Sequence, residues 1–205
     1  MTKIILTRHG HVEGIEPERF RGRTDVPLTE LGRAQAGAVA ARISELWKPL
    51  MVYTSPMGRC VATGQEIAKA CGAPSKVLED LNDIDYGQWH WRTRDEVRAT
   101  APELFATWQE TPQFMRFPGG DSLQDLVART SDALRFILAQ HPAETVVMVG
   151  HVSVNRALLL QLLDRPLSAY WKIAQEPCCI NEIDLVHRQV SVRRFNEIDH
   201  LPKSA

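Results

Sequence analysis

No stretch of the sequence is apolar for long enough to cross a bilayer, and the opening Met1 to His9 segment has too few consecutive apolar residues for a signal-peptide core. No membrane span and no secretory leader are expected, so the protein is read as cytoplasmic. Charge of one sign is lacking too. Lys and Arg total 24 against 25 Asp and Glu, so no global field draws the chain to nucleic acid or an anionic surface. Any preference for anions must be local. Cys60, Cys71, Cys178 and Cys179 form neither a CxxC pair nor a Cys/His metal spacing. Reduced structural thiols are expected rather than a disulfide framework or zinc site. Internal repeats and low-complexity segments are absent. What remains is 205 residues, enough for one domain over residues 1–205 with a substantial core.

Short apolar runs alternate with helical patterns. Lys3 to Thr7 reads as a buried strand ending abruptly at Arg8-His9-Gly10. Thr29 is placed to cap a helix whose apolar face continues through Ala36, Val39, Ala40 and Ile43, with Pro49 as its stop. Leu50 to Tyr53 reads as a second strand. After Ser55-Pro56 a helix is expected from about Met57 to Ala70, closed by Gly72 and Pro74. Val146 to Val149 is a further β-branched run, and it too ends in a histidine, Gly150-His151, before a helical stretch from Val154 to Leu163. Ser122 is expected to cap a helix running to about Ala139. Ile180 to Val186 and Val190 to Phe195 read as closing strands joined by a His187-Arg188-Gln189 turn. Between Asp80 and Gly120 the aromatics Trp89, Trp91, Phe105, Trp108, Phe114 and Phe117 break the alternation. The pattern predicts a three-layer α/β/α sandwich with a mostly parallel central sheet, made mixed by short edge strands, and a cap segment inserted over about 80–120.

In open α/β sheets ligands bind beyond the carboxyl ends of the strands, and here those ends carry Arg8, His9 and His151. Transfer of a phosphoryl group asks a protein mainly for positioning and fixed positive charge around its oxygens. Arg8 lies beside His9, and Arg59, early in a helix, carries a planar fork of donors suited to two phosphate oxygens. His151 opens a helix, where backbone N–H groups also favour an anion.

Leu6-Thr7-Arg8-His9-Gly10 resembles the signature of the histidine phosphatase, or phosphoglycerate mutase-like, superfamily, branch 1. The family's Gly-x-x-Asp-x-Pro-Leu-Thr-x-x-Gly is matched by Gly22, Asp25, Pro27, Leu28, Thr29 and Gly32. Its Ser-Pro-x-x-Arg-x-x-x-Thr is matched by Ser55, Pro56, Arg59 and Thr63, and its late Gly-His by Gly150-His151. The resemblance implies that His9 is a nucleophile forming a phosphohistidine, with Arg8, Arg59 and His151 lining the phosphate pocket. It implies a carboxylic acid for the leaving group in the segment Leu81 to Gly87, where the family carries Glu. Alignment on Leu81 and Gly87 puts Asp83 there, with Asp85 as the rival carboxylate.

Departures from the family pattern fall on the pocket rim. Ile15 replaces a common Asn, Arg21 a common Gln or Ser, His11 a Thr, Ser, Asn or Glu, and Trp89-His90-Trp91 the usual Trp-Glu-Gly. Arg21, His11, His90, Asp85 and, through a tail that approaches the substrate in relatives, His200 are the candidate substrate contacts. The expected activity is hydrolysis of a small water-soluble phosphomonoester with no metal and no organic cofactor. The alternatives are a mutase that returns the phosphoryl group to another hydroxyl, and a phosphate-binding regulatory module without turnover. A cluster rich in arginine repels a cation, which disfavours a zinc site built on His9, His11 and His151. No nucleic-acid or membrane partner is expected, and a homodimer stays open.

Overall fold

The computed structural model describes residues 1–186 and 189–202. Six strands form one sheet in the order β3-β2-β4-β1-β5-β6, with β1 Thr2–Arg8, β2 Met51–Thr54, β3 Ser75–Val77, β4 Thr145–Gly150, β5 Ile180–Val186 and β6 Gln189–Glu197. The first four in that order are parallel, β5 runs antiparallel to β1, and β6 antiparallel to β5. The sheet is mixed because of these two long strands at one edge; the short edge strand β3 is parallel to its neighbour. His187 and Arg188 of the expected turn lie outside the described residues, and Gln189 already belongs to β6.

The layers follow from alternation along the central strands. Successive side chains on a strand point to opposite faces, so Ile4 and Leu6 face one side of β1 and Ile5 the other. Val146 and Met148 divide from Val147 and Val149 in the same way on β4. On one face, Ile5, Val52, Val147 and Val149 pack with Val39 and Ile43 of α1 (Glu30–Leu46) and Cys60 and Ile67 of α2 (Gly58–Cys71). On the other, Ile4, Leu6, Val146 and Met148 meet Leu126, Ala133 and Ile137 of α5 (Leu123–Gln140) and Ala157, Leu158 and Leu160 of α6 (Val152–Leu162). Each fully buried aliphatic side chain here contributes roughly 1.5–3 kcal/mol. Strands covered on both faces explain the unbroken apolar runs.

Two helix starts are set by the residues expected to set them. Thr29 Oγ1 accepts the Gly32 N–H at 3.1 Å. Ser122 and Asp125 form a reciprocal capping box at the start of α5. Helix α1 ends at Leu46, three residues before Pro49, with Trp47 already extended. The segment predicted as a cap contains two short helices, α3 (Arg94–Thr100) and α4 (Pro102–Glu110). Its Trp89, Phe105, Trp108 and Phe117 are part of the main core, whereas Trp91 packs on a smaller cluster with Val12 and Leu28 and Phe114 is exposed. The Phe117 ring stands edge-on to Tyr86, Trp89 and Trp108 at centroid distances of 4.8, 5.3 and 5.1 Å, and all four share a cluster with Leu6 and Met148. No helix among the described residues is long and apolar enough to cross a membrane.

The first turn of α1 is pressed against the loop after β1 so closely that two glycines are required. A Cβ on Gly10 would lie 2.4 Å from the Gly32 carbonyl oxygen, and one on Gly32 would lie 2.0 Å from that of His11. Gly32→Ala is therefore expected to cost about 2–4 kcal/mol in a denaturant melt. Gly37→Ala, on the exposed side of the same helix with nothing within 4 Å of the new methyl, should gain about 0.5–1 kcal/mol. Equal effects at the two positions would refute the close-approach argument.

Candidate active site

Strands β1 and β4 are neighbours in register, Arg8 opposite Gly150, so the residues that follow them emerge side by side. The His9 N–H donates to the Gly150 carbonyl at 3.1 Å. The His9 and His151 rings meet edge to face with centroids 5.3 Å apart. His9 Nδ1 lies 2.7 Å from the carbonyl oxygen of Gly10, which can only accept, so Nδ1 carries the proton and Nε2 keeps its lone pair. His151 has polar neighbours at both ring nitrogens. Its Nδ1 lies 3.3 Å from Asp83 Oδ2, and its Nε2, 2.7 Å from Ser55 Oγ, accepts the serine hydroxyl.

Arg59, the second residue of α2, has no exposed surface. It donates to the carbonyls of Thr24 (2.8 Å) and Gly22 (2.6 Å) and to Asp83 Oδ2 (3.1 Å). The other oxygen of Asp83 accepts the Ser153 hydroxyl at 2.6 Å and the Ile84 N–H at 2.9 Å. Arg8 donates to the Gln175 carbonyl at 2.8 Å. The Nε atoms of Arg8 and Arg59 are buried without a protein partner, leaving donor capacity near the two histidines.

Burial is the dominant electrostatic influence. It pulls the Arg8 guanidinium down to about 10, aided by Arg21, which still leaves it charged at neutral pH. Burial, then Arg59, then Arg8, hold the His9 imidazole well below its ordinary 6.5, and the same three causes act in that order on His151. Two neutral imidazoles thus stand among cations, one of them with a free lone pair. A cleft of about 480 Å³ reaches this group at Arg8 and Asp83 and is lined also by Gly22, Arg21, Tyr86 and Arg156, while the buried His9, Arg59 and His151 lie behind its lining.

A histidine with a free ring nitrogen, two arginines, a second histidine and a carboxylate converge at the carboxyl ends of parallel strands. Residues 4–198 match the sequence model of the histidine phosphatase superfamily, branch 1. The chain belongs to that superfamily. Phosphoserine phosphatase 1 of Hydrogenobacter thermophilus is 31% identical over 201 residues, covering 98% of this chain and 95% of its own. Among solved structures, YhfR of Bacillus stearothermophilus superposes with a TM-score of 0.92 at 28% identity, covering 98% of this chain and 100% of that one. A histidine-to-alanine variant of phosphoserine phosphatase from Entamoeba histolytica, in complex with phosphoserine, gives a TM-score of 0.88 at 26% identity, with coverages of 98% and 100%.

The remaining candidates of this histidine phosphatase divide. Arg21 reaches the cleft, tethered by a hydrogen bond to the Gly14 carbonyl. His11 turns to Thr29 Oγ1 at 2.9 Å and buttresses the cap of α1. His90 Nε2 accepts the Tyr86 N–H at 3.2 Å and belongs to a separate groove with Arg19, Trp91 and Arg92. Asp85 accepts the Gly87 N–H at 2.8 Å, and its main chain bonds Asp121 in both directions, so it braces a turn rather than facing the cleft. His200 lies 3.0 Å from the Cys178 carbonyl and lines a groove with Arg42 and Glu45 of α1. The cleft lining therefore leaves out His11, His90, Asp85 and His200, against expectation, because His11 is taken up by the Thr29 hydroxyl, Asp85 and His90 by nearby backbone N–H groups, and His200 by the Cys178 carbonyl. Ile15 does line the cleft.

Sequence patterning does not anticipate Ser153, Arg156 or Gln175. The available signal was polarity in α6, where Ser153, Asn155 and Arg156 interrupt an otherwise apolar helix. Ser153 and Asn155 are fully buried.

Low proton affinity in the folded state has a definite sign. As pH falls below about 7, the unfolded chain takes up protons on these two rings first, so this contribution to stability declines. In an imidazole NMR titration, His9 and His151 should keep neutral-ring shifts at pH 6, where histidines of the denatured chain, titrating near 6.5, are mostly protonated. Protonation of either ring at or above 6.5 in the folded protein would contradict the assignment.

Proposed function

We propose that this histidine phosphatase hydrolyses phosphoserine, a small phosphomonoester of the kind named for its relatives, through a phosphohistidine on His9. The observation that carries the reading is the His9 imidazole, neutral, with Nε2 unprotonated, enclosed by Arg8, Arg59 and His151 and with Asp83 beside them.

In the first step the proton of the monoanionic ester passes to Asp83, Nε2 of His9 attacks phosphorus, the ester P–O bond breaks, and Asp83 hands that proton to the leaving alkoxide. In the second, water attacks the phosphohistidine, Asp83 takes the proton from water, the N–P bond breaks, and inorganic phosphate leaves. Arg8, Arg59 and Arg21 supply the positive charge that offsets the phosphoryl oxygens as the transition state forms. With that charge provided by side chains, turnover is expected to persist in excess chelator. Arg8 and Asp83 occupy the floor of a cleft whose walls also bear Glu18, Glu176, Arg156 and Lys172, so a zwitterionic substrate meets charges of both signs.

Two measurements test this together. Net phosphate release from phosphoserine, with an acid-labile phosphate adduct that is lost in His9→Ala, separates a phosphatase from a mutase and from a non-catalytic binder. Asp83→Asn should slow phosphoenzyme formation from phosphoserine by about 10²–10⁴-fold. Nitrophenyl phosphate, whose leaving group needs no proton, should lose less than about tenfold. Equal losses on both esters would remove Asp83 from the acid role.

A further inference from the structure

The cleft contains a cation that the phosphoryl chemistry leaves unused. Arg156, in α6 five residues beyond His151, lines the cleft wall and is half-buried. Its Nε–H donates to the Ile173 carbonyl at 2.7 Å. Its guanidinium carbon stands 5.0 Å from the Tyr170 ring centroid and 5.1 Å from that of Trp171. One hydrogen bond and two aromatic faces thus fix the orientation of the fork.

Among the described residues Arg156 lacks an anion, as does Arg19 on the same cleft, but Arg19 spends a terminal nitrogen on the Trp91 carbonyl at 2.7 Å. No carboxylate of the described residues lies within ion-pair distance of Arg156. Arg94, which also lines the cleft, pairs with Glu18 at 2.8 Å and bonds Gln109. Lys172 is exposed and free to move. Arg156 and Arg8 line the same cleft. A ligand whose phosphoryl group meets Arg8 therefore has Arg156 within reach.

Holding a guanidinium oriented, partly desolvated and unpaired costs stability, and the cost is offset when an anion arrives. A planar fork whose one side-chain hydrogen-bond neighbour among the described residues is the Tyr170 hydroxyl still has an edge to offer the two oxygens of a carboxylate. We propose that Arg156 is a specificity-determining residue that binds a carboxylate of the substrate, restricting the enzyme to phosphomonoesters that carry a carboxylate a few bonds from the phosphoryl group. This rests on the phosphatase reading of the cleft.

The test compares kcat/KM of the full chain and its Arg156→Leu and Arg156→Lys variants on four esters. Phosphoserine and 3-phosphoglycerate carry the carboxylate; phosphoethanolamine and nitrophenyl phosphate lack it. Arg156→Leu should lower kcat/KM on the first two by about 10²-fold, chiefly through KM, and change the last two less than about threefold. Arg156→Lys, which keeps the charge and loses the fork, should fall between, at about tenfold. The rate on nitrophenyl phosphate doubles as the control for folding. Equal losses on all four esters, or a wild-type enzyme indifferent to the carboxylate, would overturn the proposal. If phosphoserine is not turned over but a preference for 3-phosphoglycerate disappears in Arg156→Leu, the carboxylate site stands and the phosphoserine reading falls. If phosphoserine is turned over and Arg156→Leu leaves it unaltered, the activity stands and the site falls.

Discussion

A guanidinium with no exposed surface sets the terms for the rest of the site. Removing a charge from water costs several kcal/mol, and the cost is tolerable only where the geometry of its partners is good. Arg59 meets that condition by drawing two separate segments onto its own helix, the loop at Gly22 and Thr24 and the carboxylate of Asp83. The tie continues through backbone, since the Arg59 carbonyl accepts the Thr63 hydroxyl, and Thr63 Oγ1 accepts the Gly10 N–H at 3.2 Å. The residue that sets the charge of the pocket thereby also sets the distance between the His9 loop and the carboxylate. A substitution there would alter both at once.

The same field does two things to an incoming phosphoryl group and its nucleophile. Arg8, Arg21 and Arg59 attract the anion, while burial first, then Arg59 and Arg8, disfavour a proton on His9 and His151, with Arg21 adding to this at His151, so the rings stay neutral where an exposed histidine would be partly charged. A cationic imidazole could not attack phosphorus. Burial reinforces both effects by removing the water that would screen them. The edge-to-face contact of the two rings fits this balance, because two imidazolium ions at 5.3 Å would repel.

How much of this was legible in the chain depends on whether local pattern or tertiary contact decides each feature. Strands β1 and β4 are apolar runs that stop at a charged or glycine-histidine end, so their existence and the emergence of His9 and His151 follow from pattern alone. Thr29 and Ser122 announce their helices because a side-chain oxygen three residues from an N–H has one obvious partner. Strand β3 has no such signature. All three of its residues are exposed, and it exists only because β2 offers a backbone edge. The antiparallel entry of β5 is equally silent, since composition does not encode direction. The rim residues failed for a different reason. Asp85 and His90 flank a tight turn in which the N–H groups of Gly87 and Tyr86 lie closer than any ligand, and those donors claim the side chains.

Asp83 shows how a departure from family pattern is absorbed by neighbours. Aspartate reaches one methylene less far than glutamate and turns about one torsion fewer. At position 83 both carboxylate oxygens are held, Oδ1 by Ser153 and the Ile84 N–H, Oδ2 by Arg59 with His151 alongside. Lost reach is exchanged for a single orientation, because a short side chain bonded at both oxygens has few rotamers left to sample. The partner that makes this possible, Ser153, sits two residues after His151 in a buried turn of α6, where an unpartnered hydroxyl would be costly. The serine is tolerable there because Asp83 accepts its proton. The carboxylate is correspondingly tied to α6, the helix that also carries His151 and Arg156. One helix therefore aligns the second histidine, the carboxylate and the outer wall of the cleft, and shifts of α6 against β1 would move all three relative to His9 together.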